Sequence, residues 1–181
     1  QIQQVPFDCE KEYLSLKGKL NRLTLYFGKL KKVERSVVIL PQEVTLGVNP
    51  KAKVKESAAV GQFLYDADPA VVKAGLLAEL SSLTKTMLLS KGKNTLFTSP
   101  KLVESPFFVH RFTVLGSSEF KQEAMIAAMR DLNVGKVVLR YSVDPTEYWK
   151  IRTVYEKQLR GAKVVHLFQV AGKAVICEEL G

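Results

Sequence analysis

Apolar and polar positions alternate in short runs along the first quarter of the chain. Tyr13-Leu14-Ser15-Leu16-Lys17 and Leu23-Thr24-Leu25-Tyr26-Phe27 flank Lys17-Gly18-Lys19, the pattern of a strand, a glycine-containing turn and an antiparallel strand. Two more short strands are predicted at Ser36–Leu40 and Glu43–Leu46, separated by Pro41-Gln42. From Gly47 to Glu56 large apolar residues thin out and charges crowd in. That stretch marks the predicted boundary between a β-rich segment, 1–56, and a second part, 57–181.

The second part mixes the periods of helix and strand. Asp68-Pro69 has the N-cap and first-position residues of a helix, predicted to run to Thr84 with Val72, Leu76, Leu80 and Leu83 on one face. Lys91-Gly92-Lys93-Asn94 reads as a turn and Phe107–Leu115 as a strand. Gly116-Ser117-Ser118 is expected to cap a helix from Glu119 to Leu132, ended by the glycine of Asn133-Val134-Gly135. A strand at Lys136–Tyr141, a helix opened by Asp144-Pro145 and stopped by Arg160-Gly161, and a hairpin turning at Ala171-Gly172 complete the chain. The strands lack the long apolar runs of a buried parallel sheet, so the expected class is α+β. No repeat of fixed period is present.

Composition adds exclusions. Of 181 residues 46% are hydrophobic and 25% charged, enough apolar material for a core and too much for general disorder. Stretches such as Ala74-Gly75-Leu76-Leu77-Ala78 fall far short of the ~20 apolar residues that cross a bilayer, and no signal-peptide pattern opens the chain. A soluble cytoplasmic protein without membrane partners is expected. Cys9 and Cys177 form no CxxC pair and are read as reduced core thiols. His110 and His166 lie inside apolar stretches and are read as strand residues. Neither has a sequence neighbour that would fix it as a catalytic base, and Asp66 is assigned to the same turn that Asp68 caps. No catalytic, cofactor or metal constellation emerges, which argues against an independent hydrolase.

The charge changes the picture. The net charge is +9 and the sequence pI about 9.5, with basic residues in excess in both parts. Lys29, Lys31, Lys32 and Arg35 cluster in the first, and Lys51, Lys53 and Lys55 alternate near the boundary. Lys136, Arg140, Arg152, Lys157, Arg160 and Lys163 crowd the last strand-helix-strand unit. Such a surface suits a polyanion, because Lys and Arg displace counterions condensed on phosphates. In the last helix Tyr148, Ile151, Tyr155 and Leu159 share one stripe, and Trp149 falls off it beside Arg152 and Arg160. The plainer expectation is that another element covers Trp149, and the alternative is a stacking surface for a base. The candidate RNA contacts are Lys136, Arg140, Arg152, Arg160 and Lys163 for phosphate and Trp149 for a base.

The run Phe63-Leu64-Tyr65-Asp66-Ala67-Asp68-Pro69-Ala70-Val71-Val72-Lys73-Ala74-Gly75-Leu76 resembles the segment that opens the THUMP-like domain of a family of class I S-adenosylmethionine-dependent methyltransferases. Phe97-Thr98-Ser99, Phe107–Leu115, Val134-Gly135-Lys136 with Arg140, Asp144-Pro145-Thr146-Glu147, Arg160-Gly161 and the Leu167–Cys177 hairpin look similar, in order, to later elements of that domain. The resemblance covers residues 60–179. It implies that the strand pair before Phe27 resembles the antiparallel pair that finishes a class I methyltransferase sheet. The cofactor-binding half of such an enzyme has no counterpart here: there is no G-x-G, and Asn49-Pro50 is followed by Lys51 where nucleic-acid-modifying members often have proline and an aromatic residue.

The expectation is therefore the C-terminal, substrate-recognising portion of an S-adenosylmethionine-dependent RNA methyltransferase, acting on tRNA or rRNA. Its catalytic domain would precede Gln1 in the same polypeptide, with S-adenosylmethionine as the cofactor of the full-length protein. No cofactor, catalytic residue or metal is assigned to this chain, which alone is expected to be inactive. The alternative is a standalone basic module that binds nucleic acid or protein without catalysis.

Overall fold

The computed structural model describes residues 7–91 and 94–181. The turn predicted at Lys91-Gly92-Lys93-Asn94 falls on Gly92 and Lys93, outside the described residues. The architecture is α+β, with two sheets and four helices.

Strands β1 (Cys9–Leu16) and β2 (Lys19–Phe27) form the predicted hairpin. Lys17 and Gly18 both take positive φ, 51° and 74°, as a two-residue turn matching the strand twist requires. β3 (Arg35–Leu40) lies parallel to β1 on its other side, and β4 (Val44–Gly47) pairs with β3. The strand pair is thus part of a four-stranded sheet of order β2-β1-β3-β4.

Asp68 caps α1 (Pro69–Ala74) by accepting from the Ala70 N–H at 2.7 Å. The single helix predicted to Thr84 is two. Gly75, at φ 70°, takes the left-handed conformation, and the Leu76 N–H reaches back to the Val71 carbonyl at 3.1 Å, the closure typical of a helix end. α2 (Leu77–Thr84) then starts afresh. Leu76 and Leu80 are therefore buried, whereas Val72 and Leu83 are exposed.

The second sheet runs β6-β7-β5-β8-β11-β10-β9, with β5 (Phe63–Ala67), β6 (Met87–Ser90), β7 (Leu96–Ser99), β8 (Phe108–Glu119), β9 (Val134–Leu139), β10 (Lys163–Val170) and β11 (Lys173–Leu180). All neighbours are antiparallel except β9 and β10, which α4 (Tyr148–Glu156) connects. Gly116-Ser117-Ser118 belongs to β8 instead of capping a helix, because β11 keeps pairing with β8 as far as Glu119. α3 (Gln122–Asp131) begins only afterwards. It ends at Asn133, φ 58°, and Gly135, assigned the stop, lies inside β9.

Three apolar clusters hold these layers. One packs α3 and α4 on one face of β9, β10 and β11 through Met129, Val137, Tyr155 and Leu167. A second fills the opposite face around Phe112, Phe168 and Cys177. The third straddles residue 56, joining Tyr13, Val37 and Ile39 of the first sheet to Tyr65, Ala70 and Val71. Helix α1 sits at that join. Arg35 donates to the Ala74 carbonyl at its C-terminal end, 2.8 Å, and Ser15 to the Asp68 carboxylate at its other end.

Candidate functional site

Side chains directly opposite one another in a sheet share a face. Asp66 of β5 pairs with His110 of β8, and His166 of β10 pairs with Cys177 of β11, two positions before Glu179. Phe112 of β8 pairs with both Leu64 and Glu179. Period-two alternation then puts Asp66, His110, Glu179 and His166 on one face, where Arg140, just past β9, joins them.

Glu179 bridges the two imidazoles. Its Oε1 accepts from His110 Nδ1 at 2.5 Å, and its Oε2 lies 3.2 Å from His166 Nε2. Arg140 Nε donates to His166 Nδ1 at 3.0 Å. Nδ1 of His166 is thus an acceptor, so its proton sits on Nε2 and points at Glu179. The Arg140 guanidinium also lies 5.8 Å from the Phe112 ring centroid. Burial, and after it the charge of Arg140, holds His166 below its ordinary pKa, with Glu179 pulling the other way. Burial pushes the Asp66 carboxyl up, against the opposing charges of His110 and Arg140.

One reading of the sequence is corrected here. The histidines are strand residues, as expected, and Glu179, from the far end of the chain, bridges them. Asp66 is a strand residue on this face and takes no part in the turn capped by Asp68. The sequence carries a signal for these positions, since each is a polar residue at an alternate position of an apolar strand. The register that unites 66, 110, 166 and 179 is not visible without the pairing.

Asp66 and His110 line a cleft of about 690 Å³, together with Leu20 of β2, Val72 and Lys73 of α1, and Asn94. Asn94 donates its amide to the Arg140 carbonyl and also borders a second cleft of about 400 Å³, whose wall includes Arg140, Tyr141, Tyr148 and Trp149.

Of the six residues singled out as RNA contacts, three gather at this second cleft. Trp149 is not covered by another element. It is 66% exposed, with the Arg152 guanidinium 5.2 Å from its ring centroid and the Tyr148 ring edge-on. Arg152 is also held by Glu156, Nε to Oε1 at 2.8 Å, and Glu156 accepts from the Val137 N–H of β9 at 3.1 Å. Arg140 is half-buried and committed to His166. Lys136, Arg160 and Lys163 are exposed. Arg160 donates to the Lys157 carbonyl, and Lys163 pairs in register with Val134, six residues and about 20 Å along β9 from Arg140. The six are therefore spread along β9, with Lys136 and Arg152 both near Glu156.

No family model matches the sequence, and no curated protein does. In fold the chain is similar to a solved structure. That structure, described as a "putative methyltransferase" from Porphyromonas gingivalis W83, superposes with a TM-score of 0.66 at 16% identity over 95% of this chain. The chain spans 45% of the length of that protein. The likeness is one of fold.

Among the described residues no group of three or more His, Cys, Asp or Glu is placed to hold a metal, and no helix is long and apolar enough to cross a membrane. The described residues do not fit S-adenosylmethionine. The adenosyl cradle of a doubly wound sheet needs a glycine-rich strand-to-helix turn. Here β5 enters α1 through Asp68, β8 enters α3 through Phe120-Lys121, and β9 enters α4 through 140–147, all without glycine. No step of methyl transfer is assigned to these residues.

Proposed function

We propose that this chain is the substrate-recognising portion of an S-adenosylmethionine-dependent RNA methyltransferase, with a THUMP-like second part and a cofactor-binding domain upstream in the same polypeptide. The observation that carries the reading is the likeness in fold across nearly the whole chain to less than half of a larger protein described as a methyltransferase. The ordered resemblance of residues 60–179 to a THUMP-like domain supports it, as does the net charge of +9. The exposed Trp149, with a guanidinium over its ring, is a platform for an unstacked base. Lys136, Arg160 and Lys163 supply charge in solvent for phosphates, and Arg140 and Arg152 position the aromatic cleft. tRNA or rRNA is the class of substrate this arrangement serves, by shape and backbone charge.

The test is binding of a single-stranded octauridylate and of total tRNA to the chain, measured across 50–300 mM salt. Affinity should fall steeply with salt, and the Lys136→Ala, Lys163→Ala double variant should flatten the slope by about 1–2. Salt-independent binding, or none at 50 mM, would overturn the RNA reading and favour a protein-interaction module.

A further inference from the structure

The 690 Å³ cleft does not have Trp149 in its wall, and the role given to the basic residues leaves it unused. Its polar lining holds one carboxylate, Asp66, with Lys73, Asn94, Thr95 and His110 around it. The Asp66 carboxylate makes no hydrogen bond to any described residue. His110 is held by Glu179 through its Nδ1, which fixes the ring beside Asp66. Asn94 gives one amide hydrogen to the Arg140 carbonyl, which leaves its second N–H and its carbonyl oxygen. Leu20 and Val72, both exposed large apolar side chains, line the same space, and Lys73 stands at its rim. The volume lies in the range of small-molecule sites.

An apolar-walled slot with an unpartnered carboxylate suits a flat ligand with adjacent donors. Among the four RNA bases only guanine presents two neighbouring N–H donors on one edge, at N1 and the exocyclic N2. Adenine and cytosine offer one amine beside a ring acceptor, and uracil one N–H between two carbonyls. A carboxylate can take the guanine pair bidentately, both bonds being charge-assisted. We infer that the cleft between β2, α1 and β5 is a guanine-binding subsite, with Asp66 accepting from N1–H and N2–H, His110 held in place by Glu179 beside it, and Lys73 available to the nucleotide's phosphate. This inference rests on the RNA reading above.

Asp66 also has the mark of a residue kept for binding. Burial opposes its charge, so the ionised carboxylate weakens the fold at neutral pH, and its substitution by asparagine should strengthen the fold while removing the bidentate acceptor.

The experiment uses octauridylate and two relatives carrying a single central guanosine or inosine, titrated at 50 mM salt with the wild-type chain and with Asp66→Asn. The guanosine octamer should bind the wild type on the order of tenfold more tightly than the other two, because inosine lacks the N2 donor. Asp66→Asn should abolish that preference while keeping the affinity for octauridylate and raising the melting temperature at pH 7.5. Equal binding of all three octamers to the wild type, or a guanosine preference that survives Asp66→Asn, would overturn the subsite and leave the RNA reading standing. If no octamer binds, both fall.

Discussion

Ser15 Oγ donates to Asp68 Oδ2 at 2.7 Å, and both residues are almost wholly buried. The bond joins the first sheet to the N-cap of α1 across 53 positions of sequence. Burial drives the Asp68 carboxyl up, and the bonds from Ser15 and the Ala70 N–H pull it back. Ser15→Ala should destabilise the chain by about 2 kcal/mol in urea unfolding at pH 7, since a buried charged acceptor loses a donor. A folded pKa above the unfolded one makes the stability contribution of this group full below the unfolded value and lost as pH rises through the folded value. The penalty of Ser15→Ala should therefore shrink as Asp68 becomes protonated in acid.

A Cβ on Gly135 would stand 2.0 Å from the Gly161 carbonyl oxygen, and one on Gly161 1.9 Å from the Asn133 carbonyl oxygen. Both obstacles are backbone, so no side chain can move aside. Either glycine changed to alanine should cost about 3 kcal/mol or more and shift β9 against β10. Thermal unfolding would show this as a drop of many degrees. The control is Gly172→Asn, with no atom near its Cβ and a turn φ of 76° that asparagine tolerates, which should melt near the wild type.

His166 provides a pH test. Its folded pKa is depressed, so the stability it contributes is present above the unfolded value of about 6.5 and is lost as pH falls through the folded value. Protonation would also place a hydrogen on Nδ1, facing the Arg140 donor. Nitrogen NMR of the imidazoles at pH 7.5 should show His166 with its proton on Nε2, titrating below pH 6.5. A titration above 6.5, or the Nδ1 tautomer, would contradict the network.

Trp149 is the sole tryptophan, which makes its environment directly readable. Its emission should be that of a largely hydrated indole, quenched by acrylamide, and should be protected from the quencher by octauridylate. Trp149→Ala should change stability by no more than about 0.5 kcal/mol while weakening octauridylate binding by about 1–3 kcal/mol. A blue-shifted, unquenched emission would mean that the ring is covered.

Where pattern and turn chemistry agreed, the fold was legible. Lys17-Gly18 and Ala171-Gly172 announced hairpins and Asp68-Pro69 a helix start, whereas the helix expected from Asp144 to Arg160 is shorter, Tyr148–Glu156, with Tyr155 buried on it and Leu159 buried beyond its end. The misreadings arose where a residue had two physical uses. Gly75 could be tolerated in a helix or end it, and the left-handed closure at Val71 decided. Gly135 had the composition of a helix stop, but close approach to Gly161 required it, while Asn133 supplied the positive φ. Ser117 and Ser118 looked like cap residues until β11 paired with them. The cluster of Asp66, His110, His166 and Glu179 was not legible, because its members come from strands whose alignment only the folded sheet defines.

The Glu156 carboxylate that holds Arg152 also accepts the Val137 N–H on the outer side of β9, the terminal strand of the seven-stranded sheet. An open strand end of this kind invites a second polypeptide to continue the ladder. By occupying the middle donor of the strand with a charge, α4 makes that border a poor template for self-association, so Glu156 guards the chain against aggregation as well as steadying the arginine beside its tryptophan.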